Sequence, residues 1–278
     1  MADYVGGQAV IEGVMMRYKD NLATAVSKKN KIIVKKEKIK FKSSKIPFIR
    51  GIINLIETLY IGVKTLNYSA EMQLEKKEKK SSSSMMVFSL IFAFVFALFL
   101  FKFMPLYLTR FIDKFLNMNS ILFNLLDGII KISIFILYIH IISKMSDIKK
   151  VFQYHGAEHK AVNCYESGLK LNVKNVKKFS TVHKRCGTTF ILLVLTVSII
   201  VYMFIPKTLP FSMNLLLRIL LLPFIASISY ELLRLNARYD NMITGTLVTP
   251  GLLLQKMTTK EPNDKQINVA LKALKGVL

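Results

Sequence analysis

Four runs of this sequence, residues 85–108, 121–143, 188–205 and 213–233, are apolar and close to the ~20 residues a helix needs to cross ~30 Å of hydrocarbon. Hydrophobic residues make up 52% of the 278 and the mean hydropathy is +0.39, as expected when part of a chain is solvated by lipid. The pattern predicts a mainly α membrane protein with about four transmembrane helices. No comparable run falls in the first 80 residues, so no cleavable signal is expected.

The net charge of +23 is distributed in step with these runs. Residues 1–84 carry +9, residues 144–186 carry +7 and residues 234–278 carry +4, whereas the two remaining connections are nearly bare. Alternation of this kind is the positive-inside pattern, and it predicts a multi-pass cell-membrane protein with both termini and the 144–186 loop in the cytoplasm. A nucleic-acid-binding protein has no reason to alternate its charge, so no nucleic acid is expected. The expected partners are the lipid bilayer and anionic lipid head groups. Oligomeric state is left open.

The chain divides into six stretches. Residues 1–46 read as a small, basic, β-rich region, with paired glycines at the start and a hairpin over 22–39. Residues 47–84 hold an amphipathic helix and a linker. Its apolar positions 52, 53, 55, 56, 59, 60, 63 and 66 form a stripe that lies on the membrane surface or packs against the bundle. The run at 75–84 reads as a flexible linker. Residues 85–143 form the first transmembrane hairpin, 144–186 a cytoplasmic loop, 187–233 the second hairpin, and 234–278 a cytoplasmic tail. In the tail, Thr249-Pro250-Gly251 marks a turn, and Ile267, Ala270, Leu271, Leu274 and Leu278 share one face of a short packing helix. There is no internal repeat.

The stretch Tyr154-His155-Gly156-Ala157-Glu158-His159-Lys160 carries the clearest chemical signal. A helix stacks residues four apart about 6 Å from one another, so His155 and His159 offer two nitrogens to one divalent ion. His-x-x-Glu-His is the inverted zinc-hydrolase pattern, in which Glu158 is the general base. His183 and Cys186, at the far end of the same loop, are further ligand candidates, and zinc is the expected metal. Glu231 joins them because the fourth run brings it to the same membrane depth. Both cysteines, Cys164 and Cys186, fall in a reducing compartment, where a disulfide is disfavoured.

Glu166 shares the face of His155 and His159 but lies about 10 Å and about 16 Å along the axis from them, too far for a shared ion. It is expected to support the site or bind something else. Glu12 and Arg17 in the glycine-rich opening are candidates to fold over the site. Within the second run, Asp127 and Lys131 are expected to pair, and Arg218 in the fourth is expected to snorkel outward.

Several blocks of the sequence resemble one family: GGQAVIEGVMMR at 6–17, FQYHGAEHK at 152–160, His183 with RCGT at 185–188, SYEL at 229–232 and TTKEP at 258–262. They are similar to the YqhQ-like bacterial membrane proteins (DUF1385), described as predicted metal-dependent enzymes. The resemblance spans essentially the whole chain. Tyr18-Lys19 stands where the family has Gly-Pro, and Lys184 where it has Pro, which loosens a turn and the approach to His183. The resemblance implies a metal and an enzyme but no substrate.

The expectation is a metal-dependent hydrolase of a membrane-associated substrate. Alternatives are a scaffold or sensor with a closed structural metal site, and a small-solute or ion transporter built on Asp127, Lys131 and Arg218.

Overall fold

The computed structural model describes residues 5–29, 31–39, 46–74, 82–238 and 242–278. Strands β1 (Gly6–Val10), β2 (Gly13–Tyr18), β3 (Asn21–Lys28) and β4 (Lys31–Lys38) form an antiparallel meander in that order. The paired residues Val10↔Gly13 and Tyr18↔Asn21 leave two-residue turns, in which Glu12 and Lys19 take left-handed backbone (φ 50° and 54°). The expected hairpin is β3–β4, and the glycine-rich opening adds β1 and β2 to it.

Helix α1 (Ile49–Gln73) follows, then α2 (Ser82–Leu98), a π-helical turn (Phe99–Phe103) and α3 (Met104–Leu116). Next come α4 (Ser120–Ile142), started by the Asn119 side chain accepting from the Leu122 amide at 2.9 Å, and α5 (Ser146–Glu166). The chain continues through α6 (Val173–Val176), α7 (Gly187–Tyr202), α8 (Phe211–Leu220), α9 (Leu222–Arg238), α10 (Met242–Thr258) and α11 (Asp264–Val277).

Among the described residues, three helices are long and apolar enough to cross a membrane: Val87–Leu116, Ser120–Ile142 and Phe211–Asn236. These are consistent with a membrane protein. The expected run at 188–205 becomes α7, only 16 residues and therefore ~24 Å long, short of a full span. Its start is set by Cys186, whose sulfur caps the helix at the Thr188 amide, and its end by the turn after Tyr202.

Four local expectations are corrected. Thr249-Pro250-Gly251 lies inside α10 rather than in a turn. Close packing on α7 overrides the lost hydrogen bond, because a Cβ on Gly251 would lie 2.8 Å from Thr189 Cα. Arg218 does not snorkel: it is 0% exposed and bonds to Asp127, Asn214 and Asn124. Asp127 also takes the expected bond from Lys131 at 3.1 Å. Leu278 is exposed, lying past the end of α11 at Val277. Of the expected linker, residues 75–81 lie outside the described residues, and Ser82–Ser84 begin α2.

The chain ends meet around one core. Val14, Met16, Ala23 and Ala25 of the sheet pack on Val269, Ala270, Ala273 and Leu274 of α11 and on Ala157 and Ala161 of α5. Small residues on the inner face of α5 let the sheet come close, and this fixes the orientation of its motif.

Candidate metal centre

Helix α5 carries His155, Glu158 and His159 in its middle and ends where Gly168 adopts left-handed backbone (φ 73°). The two imidazoles meet edge to face, with ring centroids 4.4 Å apart and planes inclined at 64°. Each is oriented by a backbone carbonyl, which can only accept a hydrogen bond. His155 Nδ1 donates to Thr258 O at 2.9 Å, and His159 Nδ1 donates to Thr181 O at 2.6 Å. Both rings therefore carry a proton on Nδ1, which leaves Nε2 as the atom turned toward Cys186. His155 Nε2 lies 3.2 Å from the sulfur of buried Cys186. One donor atom from each of His155, His159 and Cys186 lies within 4.8 Å of the others.

Glu158 projects beside this group. Among the described residues its Oε2 has no hydrogen-bond partner, and burial pushes the carboxyl up to about 7, against a smaller downward pull from His155. Burial likewise lowers His159, which keeps the ring neutral and able to donate its lone pair. Gly7 of β1 closes over the carboxyl: a Cβ there would meet Glu158 Oε1 and Met15 O, both at 2.8 Å. Around these groups is a cavity of about 570 Å³, with apolar walls that include Leu55, Phe152, Phe190 and Leu233.

The other candidates sit elsewhere. His183 lies beside the group, 5.7 Å from His159 between centroids, but its Nε2 faces Glu166 at 3.3 Å. Glu166 also pairs with Arg185; burial raises its carboxyl, and His183 and Arg185 together outweigh this and lower it. Glu231 on α9 is held by Arg50 of α1 and the Phe48 amide, so it does not join the cluster. Glu12 packs on α5, accepting from Tyr154 Oη at 3.1 Å and pairing with Lys150 at 3.2 Å. Arg17 points the other way, to Glu57 of α1 at 2.6 Å.

Residues 46–278 match the family model described as "Protein of unknown function (DUF1385)". The chain belongs to the DUF1385 family. It is 37% identical over 293 residues to "Uncharacterized protein YqhQ" of Bacillus subtilis (strain 168), across 98% of this chain and 92% of that one. No solved structure matches it.

In this DUF1385 chain the residues that orient the cluster were absent from the sequence reading. Thr258 and Thr181 act through main-chain oxygens, which no side-chain pattern reveals. Gly156, between the two histidine ligand candidates, was the available signal. A Cβ there would lie 2.1 Å from Lys260 O, so glycine alone lets the 258–260 segment lie on α5 and bring Thr258 O to His155. Gln255 does similar work for the loop, bonding both the amide and the carbonyl of His183 at 2.9 Å.

Proposed function

We propose that this protein is a metal-dependent hydrolase at the cytoplasmic face of the cell membrane, acting on a membrane-associated substrate. One observation carries the reading. Two carbonyl-oriented imidazoles and a buried thiol turn their donor atoms toward one another, next to a buried carboxyl oxygen with no partner among the described residues.

This nitrogen and sulfur set suits zinc, with His155, His159 and Cys186 as ligands. When bound, such an ion supplies Lewis-acid polarisation of a substrate carbonyl or phosphoryl group and lowers the pKa of water. Glu158 Oε2 is the proton acceptor, and its raised pKa suits it both to take a proton from water and to pass it to a leaving group. Glu158 is only 6% exposed, which limits its contact with bulk water. Three protein donors leave a position open for chemistry. A closed structural shell would need His183, whose Nε2 is engaged by Glu166.

The test is zinc loading of the purified full chain, with ligand types counted by X-ray absorption. Two imidazole nitrogens and one sulfur are expected. Glu158→Gln should keep the zinc and lower hydrolysis by about 10²–10⁴-fold, whereas His159→Ala should lose the zinc. A chain that takes up no zinc, or a fully active Glu158→Gln variant, overturns the proposal.

A further inference from the structure

Helix α1 is inside out relative to a helix of a water-soluble protein. Its inner face is largely polar: Glu57, Thr65 and Ser69 are buried together with Gly51 and Ile61, Ser69 Oγ accepts from the Ile11 amide at 3.1 Å, and Asn54 Nδ2 donates to Tyr230 Oη at 2.7 Å. Its outer face is apolar, with Ile52, Ile56, Leu59, Tyr60, Val63 and Leu66 each 37–59% exposed. An apolar stripe of this length on one helix is rarely left to water. The first two turns of α1 are fastened to α9 through Arg50–Glu231, Ser227–Phe48 and Asn54–Tyr230. Since α9 belongs to the span-length helix Phe211–Asn236, the stripe continues a surface already built for hydrocarbon. The adjoining basic chain suits anionic head groups.

The cavity opens beside this stripe. Of its lining residues, Gly6, Gly7, Thr58 and Gly187 are exposed and mark its mouth. Thr58 is on α1 next to Leu59, and Gly187 is the first residue of apolar α7. Apolar Leu55, Phe152, Phe190 and Leu233 share the cavity wall with His155, Glu158, His159 and Cys186 and with further polar side chains such as Asn54 and Arg185, a mixed lining that suits the polar end of an amphiphile.

We propose that α1 lies in the head-group boundary of the bilayer, with Ile56, Leu59 and Val63 in the acyl layer. The mouth between Thr58 and Gly187 then admits the polar end of a bilayer lipid from the same leaflet. The lipid-entry half deepens the hydrolase reading and rests on it; the seating of α1 stands without it.

The chain contains no Trp, so a single introduced Trp is the only indole in the molecule. The full-length variants Leu59→Trp, Phe152→Trp and Lys38→Trp are reconstituted into phosphatidylcholine and phosphatidylglycerol vesicles. Matched vesicles carry phospholipids brominated near the glycerol end of the acyl chain. Leu59→Trp should lose emission to the bromine, and Lys38→Trp on exposed β4 should not. Phe152→Trp, on the cavity wall contributed by α5, should lose emission only if a lipid enters. Equal emission of Leu59→Trp in brominated and plain vesicles overturns the seating. Quenching at Leu59→Trp without quenching at Phe152→Trp overturns lipid entry alone. Zinc content is measured on the same samples. Quenching at Phe152→Trp in a protein that cannot be loaded with zinc sinks the hydrolase reading while leaving lipid entry standing.

Discussion

Helices α1 and α11 look alike in sequence and are used in opposite ways. Each has apolar residues at helical spacing with charges between them. Helix α11 is started by a capping box in which Asn263 and Gln266 exchange bonds, and it buries Ile267, Ala270, Leu271 and Leu274 against the sheet and α5. Helix α1 buries Gly51, Glu57, Ile61, Thr65 and Ser69 and turns Ile52, Ile56, Leu59 and Leu66 outward. Periodicity reports that an apolar face exists. It does not report whether protein or lipid covers it, because both solvents reward the same pattern.

Substitutions on the two helices can break this comparison. The largest effect is expected at Leu274→Ala, a fully buried side chain whose loss leaves a cavity at the sheet interface and costs about 2–5 kcal/mol, read as a lowered unfolding midpoint in detergent. Glu57→Ala comes next, at about 1–3 kcal/mol, because it removes a 5% exposed carboxylate and strands the Arg17 guanidinium that the sheet presents to α1. The Arg17 side chain is 30% exposed and can recover part of this loss from water. The smallest is Leu59→Ala, on the outward stripe, which should change the detergent midpoint by less than about 0.5 kcal/mol. If Leu59→Ala cost as much as Leu274→Ala, the stripe would be covered by protein and the contrast would fail.

A second pair of regions teaches about legibility. The Asp127–Lys131 pair was readable because residues four apart on one helix must meet. Arg218 was not, since its partners Asp127 and Asn124 lie about ninety residues earlier on another helix. The same divide runs through the candidate metal centre. His155 and His159 were legible as a pair from spacing alone. That Cys186 joins them, while His183 turns to Glu166 and Glu231 to Arg50, depends on where the 181–187 segment, α1 and α9 come to rest.

The sequence by itself determined the apolar helices, the β3–β4 hairpin and the facing histidines, because each follows from hydropathy or geometry over a few neighbouring residues. Only the tertiary structure decided that Pro250 sits within a helix, that the sheet and α11 share one core, and that Thr258 and Thr181 carbonyls aim the imidazoles. These outcomes come from close backbone approach at Gly7, Gly156 and Gly251, between segments far apart in the chain. Such contacts are fixed by the space that remains once every element has packed, a quantity no local pattern contains.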